Sequence, residues 1–173
     1  MKTAKEIAVM GVFVALLIGG QFILSGIQGI EVVTVLITSF CFYFGLKRGI
    51  IVATAFSLLR CFIFGFFPQV ITLYLVYYNL IAVVFGLIGK AFKKLLSIKK
   101  LIVVISATLF STALFTVLDV GLTWAFYGLT VNAVKVYFIA SMPTLITQLI
   151  CVMVTVALLF IPLLKVYKTI KLN

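Results

Sequence analysis

Residues 101–120 read LIVVISATLFSTALFTVLDV, twenty positions with a single charged side chain, Asp119. A run of this length and polarity matches a membrane-spanning helix, which takes about 20 apolar residues, whereas transmembrane strands show short alternating segments. Comparable runs recur along the chain. With 65% of its 173 residues hydrophobic and only 10% charged, the sequence carries more apolar surface than one soluble core can hide. It predicts an all-α integral membrane protein.

Turn residues and breaks in hydropathy divide the chain into six transmembrane segments forming one domain: 5–24, 31–47, 49–66, 70–92, 101–127 and 134–164. The last two exceed what a bilayer requires, and Pro143 and Pro162 invite a kink in the sixth. The first segment is rich in glycine and alanine and is followed by no small-residue cleavage pattern, so it reads as a retained helix. Cys41, Cys61 and Cys151 fall in apolar runs without metal-ligand or disulfide spacing and read as packing residues.

Lysine and arginine set the orientation. Lys2 and Lys5 precede the first segment, and Lys47 and Arg48 join the second to the third. KAFKKLLSIKK joins the fourth to the fifth, and Lys165, Lys168 and Lys171 follow the sixth. Twelve of the fourteen basic residues thus share one side, which places both termini in the cytoplasm. The net charge of +11 is accounted for by topology rather than by nucleic acid. No histidine is present and the acids are Glu6, Glu31 and Asp119, so the side chains for acid–base, nucleophilic or metal chemistry are missing. An enzyme is not expected, nor a cofactor or metal.

Two basic residues stand outside this pattern: Arg60 in the outer half of the third segment, and Lys135 at the outer start of the sixth. Glu31 opens the second segment, and Asp119 lies in the outer half of the fifth. Charges inside a membrane normally face the bundle interior or a wet cavity and pair with one another. Arg60 is therefore expected to point inward, toward Asp119 or Glu31; the alternative is that it snorkels to the outer interface or forms a purely structural pair. Tyr74, Tyr77, Tyr78 and Asn79 lie at similar depth in the fourth segment, Thr34 and Thr38 in the second, and Trp124 and Tyr127 at the end of the fifth. An aromatic belt explains some of these, but it does not call for Asn79, Asp119 and Arg60 inside helices. A cavity for a polar, ring-bearing ligand does. Glu31, Arg60, Tyr74, Tyr78, Asn79, Asp119 and Trp124 are the candidate ligand contacts. Gln148, deeper in the sixth segment, fits an interhelical hydrogen bond equally well.

Ala4, Ala8, Gly11, Ala15 and Gly19 recur at steps of four, three, four and four in the first segment and so share one helical face. Small residues at this spacing let another helix approach closely. Spacing alone favours packing within the bundle over docking of a partner subunit.

Six helices in a chain of this size, cytoplasmic ends, the pattern IAVMGVFVALLIGGQ in the first helix and a polar cluster toward the outside resemble the substrate-binding S components of energy-coupling factor (ECF) transporters. The resemblance implies a multi-pass protein of a prokaryotic plasma membrane that captures a vitamin or related micronutrient from outside. It implies that the loop between the first two helices, LSGIQGIE at 24–31, acts as a lid, with Glu31 closing over the ligand. It implies further that Ala8, Gly11, Ala15 and Gly19 face the transmembrane coupling subunit of a module that also contains two ATPases. The chain has no P-loop of its own. Two other classes remain open: a stand-alone permease or channel whose path the same charges line, and a scaffold that binds partners or membrane lipid.

Overall fold

The computed structural model describes residues 4–27, 29–30, 32–92 and 98–170. All regular structure among them is helical: α1 (Ala4–Leu24), α2 (Val33–Phe44), α3 (Leu46–Leu59), α4 (Cys61–Phe64), α5 (Pro68–Ala91), α6 (Ile98–Tyr127) and α7 (Val131–Thr169). The helices α1, α5, α6 and α7 are long and apolar enough to cross a membrane. Large apolar side chains such as Phe62, Phe110 and Ile139 are exposed on the outside of the bundle, as a helical membrane protein requires of a surface solvated by lipid tails.

The segments expected at 31–47 and 49–66 take a different form. Gly45 adopts φ +86 and its N–H closes α2 onto the Cys41 carbonyl at 2.9 Å, ending that helix after 12 residues. Such a backbone suits glycine because a Cβ is disfavoured at positive φ. At about 1.5 Å per residue α2 is about 18 Å long, short of the roughly 30 Å hydrocarbon layer. Nearly all of it is buried: α1, α3, α5 and α7 surround it. Its hydroxyls are satisfied locally, with Thr38 donating to the Thr34 carbonyl at 2.6 Å and Ser39 to the Leu36 carbonyl at 2.9 Å. Thr34 and Thr38 therefore belong to the core rather than to a cavity.

Arg60 interrupts α3 and α4 without stopping the helical hydrogen bonds. Its N–H donates to the Phe56 carbonyl at 3.1 Å, and its carbonyl accepts from the Phe64 N–H at 3.0 Å, before Gly65 (φ +94) turns the chain. Pro68 at the first turn lets α5 start two residues ahead of the expected boundary. Gly128 (φ +59) closes α6, and the Thr130 side chain caps α7 by accepting from the Ala133 N–H at 3.4 Å, so α7 also starts early. α7 then runs through both prolines for 39 residues.

Close approach holds the centre together. Gly86 and Gly89 on α5 face the α2–α3 junction, and a Cβ at Gly89 would collide with the Phe42 carbonyl group. Backbone contact of this kind supplies the van der Waals attraction that associates helices in lipid, where no hydrophobic gain separates them. Phe13 stacks on Phe40 with ring centroids 4.3 Å apart, and Tyr167 near the end of α7 packs edge-on against both. The start of α1, the α2–α3 junction and the ends of α5 and α7 thus gather at one end of the bundle, along with most of the lysines. Glu6 and Arg48 form an ion pair there.

Candidate functional site

The opposite end holds a cleft. Its geometry starts from Arg60, which is buried at 6% exposure. The guanidinium folds against α1 and α5: its Nε donates to Gln21 Oε1 at 3.0 Å, and it lies 3.8 Å from the Tyr74 ring centroid and 4.8 Å from that of Phe64. Gln21 Nε2 in turn donates to the Tyr74 hydroxyl at 2.9 Å. Two aromatic faces and an amide oxygen stabilise the cation where lipid would not. The expected pairing of Arg60 with Asp119 is not formed; among the described residues the one ion pair is Arg48 with Glu6. Glu31 and the lid residue Gln28 lie outside the described residues.

Asp119 belongs to a second network. Its Oδ2 accepts from the Tyr137 hydroxyl of α7 at 2.7 Å, and its Oδ1 accepts from Gln69 Nε2 at 3.4 Å. Gln69 also hydrogen-bonds the Thr123 hydroxyl, which donates to the Asp119 carbonyl at 2.7 Å. Three helices, α5, α6 and α7, are joined through one half-buried carboxylate.

Three cavities adjoin between these networks. A small one of about 60 Å³ is enclosed by Tyr74, Tyr77, Tyr78, Thr112, Phe115 and Gln148. A second, of about 270 Å³, holds Asp119, Tyr137, Ser141 and Thr144. A third, of about 400 Å³, lies beneath the α1–α2 loop and is lined by Gln21, Ser25, Gly29, Phe64 and Tyr74 among others. Gln148 lines all three. Among the described lining residues Asp119 is the one ionisable acid, and no lysine or arginine contributes. The cleft therefore presents hydrogen-bonding amides, hydroxyls and aromatic faces, with the Asp119 carboxylate in its lining and the Arg60 guanidinium behind the Tyr74 ring.

The loop over the third cavity rests on α7. Gly29 has φ +81, and a Cβ there would collide with the Thr147 side chain. Both the backbone conformation and the close approach call for glycine.

The sequence-predicted residues divide accordingly. Tyr74, Tyr78 and Asp119 line the cleft, and Arg60 stands behind it, its contacts Gln21, Tyr74 and Phe64 forming the wall. Asn79 instead ties α5 to α3, accepting from the Thr54 hydroxyl at 3.1 Å and donating to the Leu75 carbonyl at 2.8 Å. Trp124 is 56% exposed and lines none of the three cavities. Gln21, Gln69, Phe115, Tyr137 and Thr144 are cleft or network residues that sequence reasoning did not single out. On α1, Ala8, Gly11 and Ala15 are exposed and Gly19 is half-buried. Neither Gly11 nor Gly19 would meet another atom within 4 Å on gaining a Cβ. The small-residue face thus points out of the bundle, contrary to the within-bundle packing that spacing alone favoured. No known protein family matches the sequence, and no curated protein or solved structure resembles it significantly.

Proposed function

We propose that this chain is the substrate-binding S component of an ECF transporter, set in a prokaryotic plasma membrane as a bundle of six helical segments, with the short α2 enclosed by the others and both ends in the cytoplasm. In this reading it captures a vitamin-like small molecule from outside, and a coupling membrane protein with two ATPases supplies the energy. The observation that carries the reading is the cleft, where aromatic faces and a few convergent polar groups meet beneath a glycine-containing loop seated on α7.

In this account the ligand's ring stacks among Tyr74, Tyr77, Tyr78 and Phe115, and the amide of Gln148 and the carboxylate of Asp119 orient its polar edge. The Asp119 carboxylate, the one charged group in the described lining itself, favours an uncharged or cationic molecule with N–H donors over an anion. Arg60 acts as a positioning residue that holds Tyr74 and Gln21 in register rather than as an anion receptor. The outward small-residue face of α1, beside an apolar groove between α1 and α7, is where the coupling subunit would dock.

Affinity purification of the chain from its native membrane tests the assignment. The coupling protein and both ATPases are expected to co-purify, and replacing Gly11 and Ala15 with leucine should release them. Substrate uptake into vesicles containing this chain alone, without ATP, would reject the assignment in favour of a permease.

A further inference from the structure

A separate cavity lies at the lysine-rich end and takes no part in the cleft. It encloses about 570 Å³ between the start of α1, the α2–α3 junction and the end of α5. Its polar edge carries Lys47, Arg48 and Lys90 together with the single carboxylate of Glu6, and its inner wall is apolar, with Phe44, Ile51 and Leu87. Glu6 is committed to Arg48, so the charge of the two lysines is in excess. Both are exposed, and neither has a carboxylate partner among the described residues.

The cavity continues onto an apolar track. Val83 and Leu87 are exposed one helical turn apart on α5, and Lys90 follows at the next turn of the same face. A ligand that satisfies both parts has an anionic head and a long apolar tail, with the head at the depth where lysines snorkel and the tail in the hydrocarbon layer.

We infer that this cavity binds the headgroup of an anionic phospholipid. Lys47 and Lys90 donate hydrogen bonds to its phosphate oxygens, Arg48 stays paired with Glu6, and an acyl chain lies along Val83 and Leu87. The apolar track selects a lipid over a free phosphate, and the exposed apolar faces beside the opening select a lipid over an acidic segment of a partner protein.

Native mass spectrometry of the full chain released from micelles doped with phosphatidylglycerol or phosphatidylcholine tests the inference. The wild-type protein should retain phosphatidylglycerol preferentially, and Lys47→Gln and Lys90→Gln should each lower that preference about fivefold, the equivalent of about 1 kcal/mol per basic residue at an anionic surface. Lys165→Gln with Lys168→Gln, at the same end but outside the cavity, should leave it unchanged. Equal loss in that control would overturn the inference by showing general surface attraction. An undiminished preference in the Lys47 and Lys90 variants would overturn it too, by placing the retained lipid elsewhere on the protein. Displacement of the lipid by equimolar inorganic phosphate would assign the site to a soluble anion instead.

Discussion

The Arg60 guanidinium lies 3.8 Å above the Tyr74 ring, and Gln21 bridges the two by accepting from the first and donating to the second. An arginine within a run of phenylalanines and leucines is thereby held by π faces and a neutral amide, with no counter-ion among the described residues. The arrangement separates what each part of Tyr74 contributes. Tyr74→Phe keeps the ring and loses the hydroxyl that accepts from Gln21, an expected cost of about 1 kcal/mol. Tyr74→Leu removes the ring as well and should cost about 2 kcal/mol more by exposing the desolvated cation. Chemical unfolding in micelles measures both, and equal losses would contradict the cation–π role.

Gly89 and Gly11 predict opposite outcomes for the same change. Gly89→Ala forces a methyl group into the Phe42 backbone and should destabilise the bundle by about 1–3 kcal/mol. Gly11→Ala meets nothing within 4 Å and should leave stability within about 0.5 kcal/mol. Thermal unfolding of the two variants side by side provides the comparison.

The Glu6–Arg48 pair is neither fully exposed nor fully buried, with side-chain exposures of 11% and 25%. Glu6→Gln should cost about 1–3 kcal/mol, between the limits for surface and buried pairs. Raising the salt concentration should shrink the difference from wild type, because the exposed part of the pair is screened. An unfolding series in salt reads this directly, and a salt-independent difference would indicate lost packing rather than lost charge.

Gly29 seats the α1–α2 loop on Thr147 in a backbone conformation that costs other residues about 1–2 kcal/mol. Gly29→Ala should therefore keep the bundle folded and loosen the loop, so that bound ligand leaves about tenfold faster. Dissociation kinetics of the retained ligand would show it. An unchanged rate would mean that the loop does not close the cleft.

Much of this architecture is legible from composition and periodicity, because lipid leaves helices as the main solution for long apolar runs. Even the α7 wall of the cleft has a readable signature: Tyr137, Ser141, Thr144 and Gln148 recur at steps of four, three and four. The partners of Arg60 carry no charge that a sequence displays: Gln21 and the Tyr74 face are neutral, although both satisfy a cation. Asn79 and Trp124 illustrate a second limit. Periodicity places each on a helical face but does not say which neighbour that face meets, and Asn79 turns toward Thr54 while Trp124 turns outward. The shortness of α2 depends on one glycine, Gly45, whose positive φ ends the helix inside an apolar run.

On the proposed function, the cleft around Gln148 holds a ring-bearing ligand oriented by Asp119. Mass spectrometry of small molecules that co-purify with the wild-type chain and with Asp119→Asn tests it most directly. Asparagine can still accept from Tyr137, so the variant should fold, and it should lose binding about 10- to 100-fold, as expected when a charge-assisted hydrogen bond becomes neutral. One neutral or cationic heteroaromatic metabolite is expected in the wild-type sample and should be depleted from the variant. An anionic metabolite, or the same molecule equally retained by both proteins, would contradict it.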